Sequence, residues 1–174
     1  DRHINISRAK YTIDYPCSFM FVASMNPCPC GYYGDPTHRC VCTPGQIQRY
    51  MNKISGPLLD RIDIQCEISP VPFKDISKAA PGEPSAKIRE RVIRAREIQA
   101  ERFKDFKGIH CNAQMTERMI HQFAEPTEEG INLLRMAMEK LSLSARAYNR
   151  ILKVARTIAD LAGSQQIEPQ HLAE

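Results

Sequence analysis

The hydrophobic pattern of this sequence changes its period at a proline-rich segment (residues 70–84), and that change limits the possible folds more than any other feature. Before it, residues 4–13 and 62–68 alternate between apolar and polar side chains, which is typical of β-strands with one buried face. Residues 19–25 (FMFVASM) form a short apolar run, which favours a central strand buried on both faces. Beyond it, apolar residues recur with the period of an amphipathic helix. We therefore predict an α/β plus all-α fold, divided into an α/β part over 1–72, a linker over 73–84 and a helical part over 85–174.

Capping residues mark the starts of the predicted helices. Thr43, followed by proline and then by Gln46, has the pattern of a capping box. The other predicted N-caps are Ser85, Thr127 and Ser144, and the helix that begins at Ser144 is expected to end at Gly163.

Composition and charge narrow the class of protein. The chain has 174 residues, of which 43% are hydrophobic and 25% charged, so disordered, collagen-like and rod-like chains are excluded. No run approaches the about 20 apolar residues that span a bilayer, and no signal peptide is present, so we expect a soluble, cytoplasmic protein without a membrane partner. The net charge of +4 is mild, and basic residues concentrate in 85–104, which is either a solvated helix or a nucleic-acid surface.

The chain carries no complete catalytic motif. It begins at Asp1 within a strand-like run and ends in what resembles the start of a helix, so we expect a fragment of a longer protein. A phosphate-binding GxxxxGK[ST] loop, GxGxxG, HExxH and GxSxG are all absent. Any enzymatic role must therefore depend on a site completed elsewhere, and the chain alone is predicted to be inactive.

Four of the seven cysteines lie within fifteen residues, as the two pairs Cys28/Cys30 and Cys40/Cys42. Two such pairs supply the four thiolates that a tetrahedral zinc ion takes, although zinc knuckles usually leave two to four residues between cysteines. His38 is an alternative ligand, and reduced thiols or a local disulfide are the other interpretations. The remaining cysteines, 17, 66 and 111, are expected to be small buried apolar residues.

Three polar residues stand where a phosphate or a water could be bound. Asn26 follows the predicted buried strand, at the sheet edge where ligands bind in α/β proteins. Arg61 lies in a short turn between Asp60 and Asp63, either as a local ion pair or as a cation that stabilises a transferring phosphoryl group. Arg146 lies in the first turn of a predicted helix, where a cation opposes the helix dipole unless an anion binds there.

Arg8 and Lys10 lie at the centre of the first alternating run, which we interpret as a hairpin. A basic hairpin tip either tracks a phosphate backbone or is an ordinary exposed turn.

Taken in order, four segments resemble the C-terminal half of the magnesium chelatase-like AAA+ ATPases of the ComM/YifB type. The segments are ISRAKYTIDYP, FMFVASMNPCPCGYYGDP, CVCTPGQIQRYMNKISGPLLDRIDI and LSLSARAYNRILKVARTIADL. The resemblance covers nearly the whole chain. It implies the closing part of an AAA+ α/β domain followed by a helical lid bundle.

The resemblance also implies roles for individual residues. Asn26 matches the sensor-1 position, which orients the attacking water, and Arg61 matches the arginine finger, which acts on the ATP of a neighbouring subunit. Arg146 matches sensor 2, which reaches the γ-phosphate from the lid. Arg8 and Lys10 lie in what resembles a pre-sensor-1 hairpin, which lines the pore and contacts DNA in related ring helicases.

The resemblance also implies that the working form is an ATP-driven, hexameric translocase, which moves DNA branches in recombination or natural transformation. Its cofactors would be ATP and Mg²⁺. The Walker A and Walker B segments are absent from this chain, as are the Mg²⁺ ligands. The alternatives are a motor subunit of a metal chelatase, and a non-enzymatic, zinc-stapled module that binds nucleic acid. As the family is known, the true chelatase subunits lack the NPCPCG cysteines, which favours the DNA-linked branch.

Overall fold

A computed structural model describes residues 3–59, 61–68, 71, 75 and 81–174 of the chain. These residues belong to two compact units, Asp1–Ile54 and Ser55–Glu174. Residue 72 and most of the predicted linker lie outside the described residues, as does Asp60. The division into residues 1–72, 73–84 and 85–174 therefore stays a prediction.

The first unit begins with an antiparallel hairpin, as predicted. Strand β1 (His3–Arg8) pairs with β2 (Tyr11–Pro16) in a register that places Arg8 opposite Tyr11. The hairpin confirms that alternation in this segment reports strand structure. Both strands are exposed along their whole length.

Two further strands predicted from the sequence do not form. Neither 19–25 nor 62–68 contains a strand, and the side chains of Phe19 and Val22 are 73% and 80% exposed. A central strand needs a neighbour on each side, and among the described residues the hairpin is the only sheet. The same lack of a partner explains why Cys66 is exposed, where burial was predicted.

Helix α1 (Pro44–Met51) follows the cysteine pairs, and the short helix α2 (Gly56–Leu59) begins the second unit. The capping box predicted at Thr43 is present: the Thr43 side chain accepts from the Gln46 amide, and the Gln46 side chain accepts from the Thr43 amide. α1 buries no residue. Its start is therefore fixed by local hydrogen bonds and not by packing.

The rest of the second unit is a bundle of five α-helices and one 3₁₀ turn within the described residues. The α-helices are α3 (Ser85–Arg102), α4 (Glu117–Phe123), α5 (Glu128–Leu141), α6 (Ala145–Ala162) and α7 (Pro169–Ala173), and the 3₁₀ turn is Asn112–Gln114. The predicted caps Thr127, Ser144 and Gly163 are confirmed. The cap predicted at Ser85 is wrong: Pro84 is the N-cap, without a side-chain hydrogen bond, and Ser85 is already helical.

The core of this bundle packs around α6. It is formed by ten buried side chains, namely those of Phe103, Met115, Met119, Ile120, Ala124, Leu134, Leu152, Ala155, Ala159 and Ile167. The predicted class, α/β followed by all-α, is confirmed and is consistent with the C-terminal region of an AAA+ protein and its helical bundle. Of the helices described, none combines the length and the apolar composition that crossing a bilayer would require.

Candidate functional site

The two cysteine pairs come together in the first unit. The sulfur atoms of Cys28, Cys30, Cys40 and Cys42, here called the cysteine cluster, all lie within 4.8 Å of one another. Three of the Sγ–Sγ separations are 3.3, 3.6 and 3.8 Å. All four thiols are free, and these separations are well beyond the about 2.05 Å of a disulfide bond.

Tight turns between the two pairs close the loop. The amide of Gly31 donates to the carbonyl of Cys28 at 3.0 Å, and the amide of Asp35 donates to the carbonyl of Tyr32 at 3.2 Å. Gly31 and Gly34 have positive φ angles of 86° and 82°, a region that glycine enters without a steric penalty. The turns reverse the chain, so that residues twelve apart in sequence place their sulfurs side by side.

Asp35 stabilises the middle of the loop through hydrogen bonds. Its Oδ1 accepts from the Thr37 amide and the Thr37 hydroxyl, each at 2.7 Å, and from the His38 amide at 3.0 Å. These bonds, chiefly that from the Thr37 hydroxyl, lower the pKa of Asp35 to about 2. The carboxylate is therefore ionised at neutral pH and organises the turn between the cysteine pairs.

His38 does not join the cysteine cluster. Its Nδ1 lies 3.3 Å from Oδ2 of Asp35, and its ring stacks on Tyr32 with the centroids 4.9 Å apart. The structure therefore favours a ligand set of four sulfurs over one that contains this histidine.

Backbone amides point at the sulfur atoms. The amides of Tyr32 and Val41 donate to the sulfur of Cys30, and they are the main reason why the pKa of Cys30 falls to about 6. At Cys28 burial disfavours the thiolate, but hydrogen bonds, including one from the Tyr33 amide, outweigh burial and lower the pKa. Burial raises the pKa of Cys42 to about 12. The four thiols thus do not ionise together unless a cation balances their charge.

The cysteine cluster has the geometry that a tetrahedral, thiolate-binding metal ion requires. A zinc–sulfur distance of about 2.3 Å places the corners of a regular tetrahedron about 3.8 Å apart. The three sulfur–sulfur separations of 3.3, 3.6 and 3.8 Å lie close to that value. The donor set is soft, which suits zinc better than Mg²⁺.

Helix α1 and the turn that follows it place two basic side chains, Arg49 and Lys53, beside the cysteine cluster. A cleft of about 420 Å³ separates the loop from the helix, and Cys30, Cys42, Arg49 and Lys53 are among its lining residues. Neither Arg49 nor Lys53 was predicted as a site residue. Their four-residue spacing after the second cysteine pair is the signal that could have found them, although only Arg49 lies within α1.

Arg61 lies in the turn that follows α2, in the second unit. The residue is exposed, and its Nη1 donates to the carbonyl of Pro57 at 2.5 Å. The predicted ion pair with Asp60 lies outside the described residues. Asp63, the other predicted neighbour, instead faces Arg150 of α6, with Oδ1 3.7 Å from Nε.

Arg146 is the second residue of α6. The hydroxyl of Ser144 accepts from the Ala147 amide at 3.2 Å and caps the helix. Arg146 is exposed, and it makes no hydrogen bond or ion pair with any residue that the structure describes. One turn further on, Nη1 of Arg150 is buried and also lacks an acceptor within the described part of the chain.

The remaining predicted site residues lie in the first unit, away from any regular helix. Asn26 is exposed at the end of the irregular segment that precedes the cysteine cluster. Arg8 is the last residue of strand β1, and Lys10 lies in the two-residue turn of the hairpin.

Within the second unit, the Asp63–Arg150 ion pair joins the segment after Arg61 to the helix that carries Arg146. The roles predicted for these residues stay predictions.

Two family models match consecutive parts of the chain. "Magnesium chelatase, subunit ChlI" matches residues 1–76, and "Magnesium chelatase, subunit ChlI C-terminal" matches residues 82–174. The second match covers more than half of the sequence.

Individual relatives resemble the chain along nearly its whole length. Competence protein ComM of Haemophilus influenzae is 44% identical over 172 residues, which are 98% of this chain and 32% of that protein. The uncharacterized protein YifB of Escherichia coli is 44% identical over 172 residues, which are 98% of this chain and 33% of that protein. The uncharacterized protein Rv2897c of Mycobacterium tuberculosis is 36% identical over 163 residues, covering 94% and 32%. The chain thus spans about a third of the length of these curated relatives.

Proposed function

The chain belongs to the magnesium chelatase-like family that includes ComM and YifB, and from this premise we propose that it is the sensor and lid portion of an ATP-driven AAA+ motor. Its substrate in this proposal is branched DNA, which the motor moves during recombination or natural transformation. The motor works in the cytoplasm as a homohexameric ring.

The position of Arg146 carries this proposal. A cation in the first turn of a helix interacts unfavourably with the helix dipole, by a few tenths of a kcal/mol to about 1 kcal/mol. Arg146 lies in such a first turn, and it has no ion-pair or hydrogen-bond partner among the described residues. A phosphate group bound near this helix end makes the arrangement favourable, because both the helix and the side chain then attract it. The γ-phosphate of ATP is that group in the proposal.

Arg61 is the residue that completes a neighbour's site in the proposal. It is exposed and lies in a turn, so it can reach across a subunit boundary once the hydrogen bond to Pro57 is exchanged for a phosphate oxygen. Asn26 orients the attacking water. The phosphate-binding loop and the Mg²⁺ ligands come from parts of the protein that this chain does not contain.

The hairpin supplies the DNA contact. Arg8 and Lys10 place two cations at its tip, and their charge attracts the phosphate backbone without regard to base sequence. The cysteine cluster enters as a structural element, because a tetrahedral ion with four thiolate ligands has no open position for a substrate.

A second candidate is the motor subunit of a metal chelatase, acting on a tetrapyrrole through a protein partner. The descriptions of both matching family models favour it. It differs from the DNA motor in one measurable respect, since its ATP hydrolysis does not respond to DNA.

Replacing Arg61 by alanine in the full-length protein tests the motor. We expect ATP turnover to fall by about 10³- to 10⁵-fold while nucleotide affinity is largely kept, because an arginine finger acts in the transition state. Turnover is measured as phosphate release, and affinity with a fluorescent ATP analogue. Arg89→Ala, an exposed arginine on α3, is the matched control and should leave both quantities unchanged. A parallel loss of turnover and of nucleotide affinity in Arg61→Ala would contradict the role.

A further inference from the structure

The first unit has almost no hydrophobic core. Among residues 3–54, Cys28 is the only buried residue, whereas the second unit buries a cluster of ten apolar side chains. A loop with so little apolar burial of its own is usually held by disulfides or by a structural metal. No disulfide links the cysteines, all of which are free.

The cysteine cluster is built as a metal site. Four sulfurs lie within 4.8 Å of one another, at separations close to those of a tetrahedral zinc centre. Cys42 directly precedes Thr43, the N-cap of α1, so a metal ion bound here connects the loop to a helix start that the capping box already fixes.

Charge balance assigns a role to the two basic residues of the cleft. Four thiolates around one divalent cation carry a net charge of −2. Arg49 and Lys53 line the same cleft as Cys30 and Cys42 and together carry two positive charges. The two cations therefore compensate the charge of the filled centre.

We propose that the cysteine cluster binds one Zn²⁺ ion in a closed structural site that fixes the loop between the cysteine pairs, and that Arg49 of α1 and Lys53 of the turn after it balance its charge. The zinc ion supplies the folding energy of the loop and couples it to α1. This inference does not depend on the motor activity, since it concerns the stability of one unit.

Metal analysis of the reduced chain tests the ion. We expect one zinc per chain, and after exchange for Co²⁺ the absorption bands of a tetrahedral tetrathiolate centre. Cys28→Ser and Cys40→Ser should each abolish stoichiometric binding, whereas Cys66→Ser, an exposed cysteine in the second unit, should retain it. A reduced, folded chain that contains no zinc and takes up no Co²⁺ would overturn the proposal.

Chelation tests the structural role of the ion. We expect hydrogen exchange of residues 27–53 to rise on removal of zinc, while the buried helices of the second unit keep their protection. Unchanged exchange in residues 27–53, or loss of protection throughout both units, would overturn the structural role.

The basic pair is tested by charge removal. The double variant Arg49→Gln/Lys53→Gln should bind zinc about 10- to 100-fold more weakly, which is the usual effect of removing partners next to metal ligands. Arg89→Gln, in the second unit, is the control for loss of an exposed positive charge. Zinc affinity that is equal in the double variant and in the control would refute the charge-balancing role, even where the ion itself is confirmed.

Discussion

Asp160 of α6 is the residue on which the polar contacts of the helical unit converge. Its side chain is fully buried and accepts from both terminal nitrogens of Arg102, at 2.5 and 2.7 Å. Asn112 donates at 2.8 Å and Nε of Arg156 at 3.0 Å. Burial lowers the pKa of Arg156, and the charge of Asp160 opposes that shift. One carboxylate thus holds two cations inside the bundle.

Replacing Asp160 by alanine should therefore reduce the free energy of unfolding by about 3–5 kcal/mol, since removing one partner leaves buried charges uncompensated. Chemical denaturation followed by circular dichroism measures the loss. Asp160→Asn keeps the shape and should fall between the alanine variant and the native protein. Glu97→Ala on the exposed face of α3 is the control, expected within about 0.5 kcal/mol of the native protein. A loss of less than 1 kcal/mol for Asp160→Ala would contradict the account.

This network was not predictable from the sequence, whereas the cysteine cluster was. Arg102 and Asp160 are 58 residues apart, and no local spacing relates them. The cysteines lie within fifteen residues, and their tight turns bring them together whatever the rest of the chain does. The caps at Thr43, Thr127 and Ser144 were predictable for the same reason, because a cap involves residues at most three positions apart.

At the scale of elements, the helices predicted from the sequence agree with the structure better than the predicted strands do. A helix closes its hydrogen bonds within the segment, so α6 forms where its apolar stripe and caps predict it. A strand needs a partner, and the hairpin succeeds because its two strands are adjacent in sequence. The apolar run 19–25 does not form a strand, because its backbone has no neighbouring strand to pair with among the described residues.

The ends of α5 and α6 offer a paired test of this element-scale reasoning. Both helices end in a left-handed residue, Ser142 with φ of 51° and Gly163 with φ of 73°. This conformation costs a residue with a Cβ about 1–2 kcal/mol, whereas glycine adopts it freely. Ser142→Gly should therefore raise the free energy of unfolding by about 1 kcal/mol, and Gly163→Ala should lower it by about as much.

Thermal and chemical denaturation measure both variants. The two main variants should shift stability in opposite directions. Shifts of the same sign would contradict the view that helix-end conformation governs them.

At the scale of the whole molecule, the chain consists of two compact units that differ in how many apolar side chains they bury. The second unit has a hydrophobic core with a buried ionic network, and it carries Arg61 and Arg146. The first unit carries Asn26, the basic hairpin and the cysteine cluster, with one buried residue in its described part. Because the chain spans about a third of its relatives' length, these residues form part of a site that other segments and neighbouring subunits complete in our proposal.

ATP hydrolysis by the full-length protein, measured with and without a four-way DNA junction, tests the central claim most directly. We expect the junction to stimulate hydrolysis, because in our proposal DNA bound by Arg8 and Lys10 promotes the reaction that Arg61 and Arg146 assist. Hydrolysis that proceeds at the same rate with and without the junction would contradict the DNA motor and favour the chelatase-type motor.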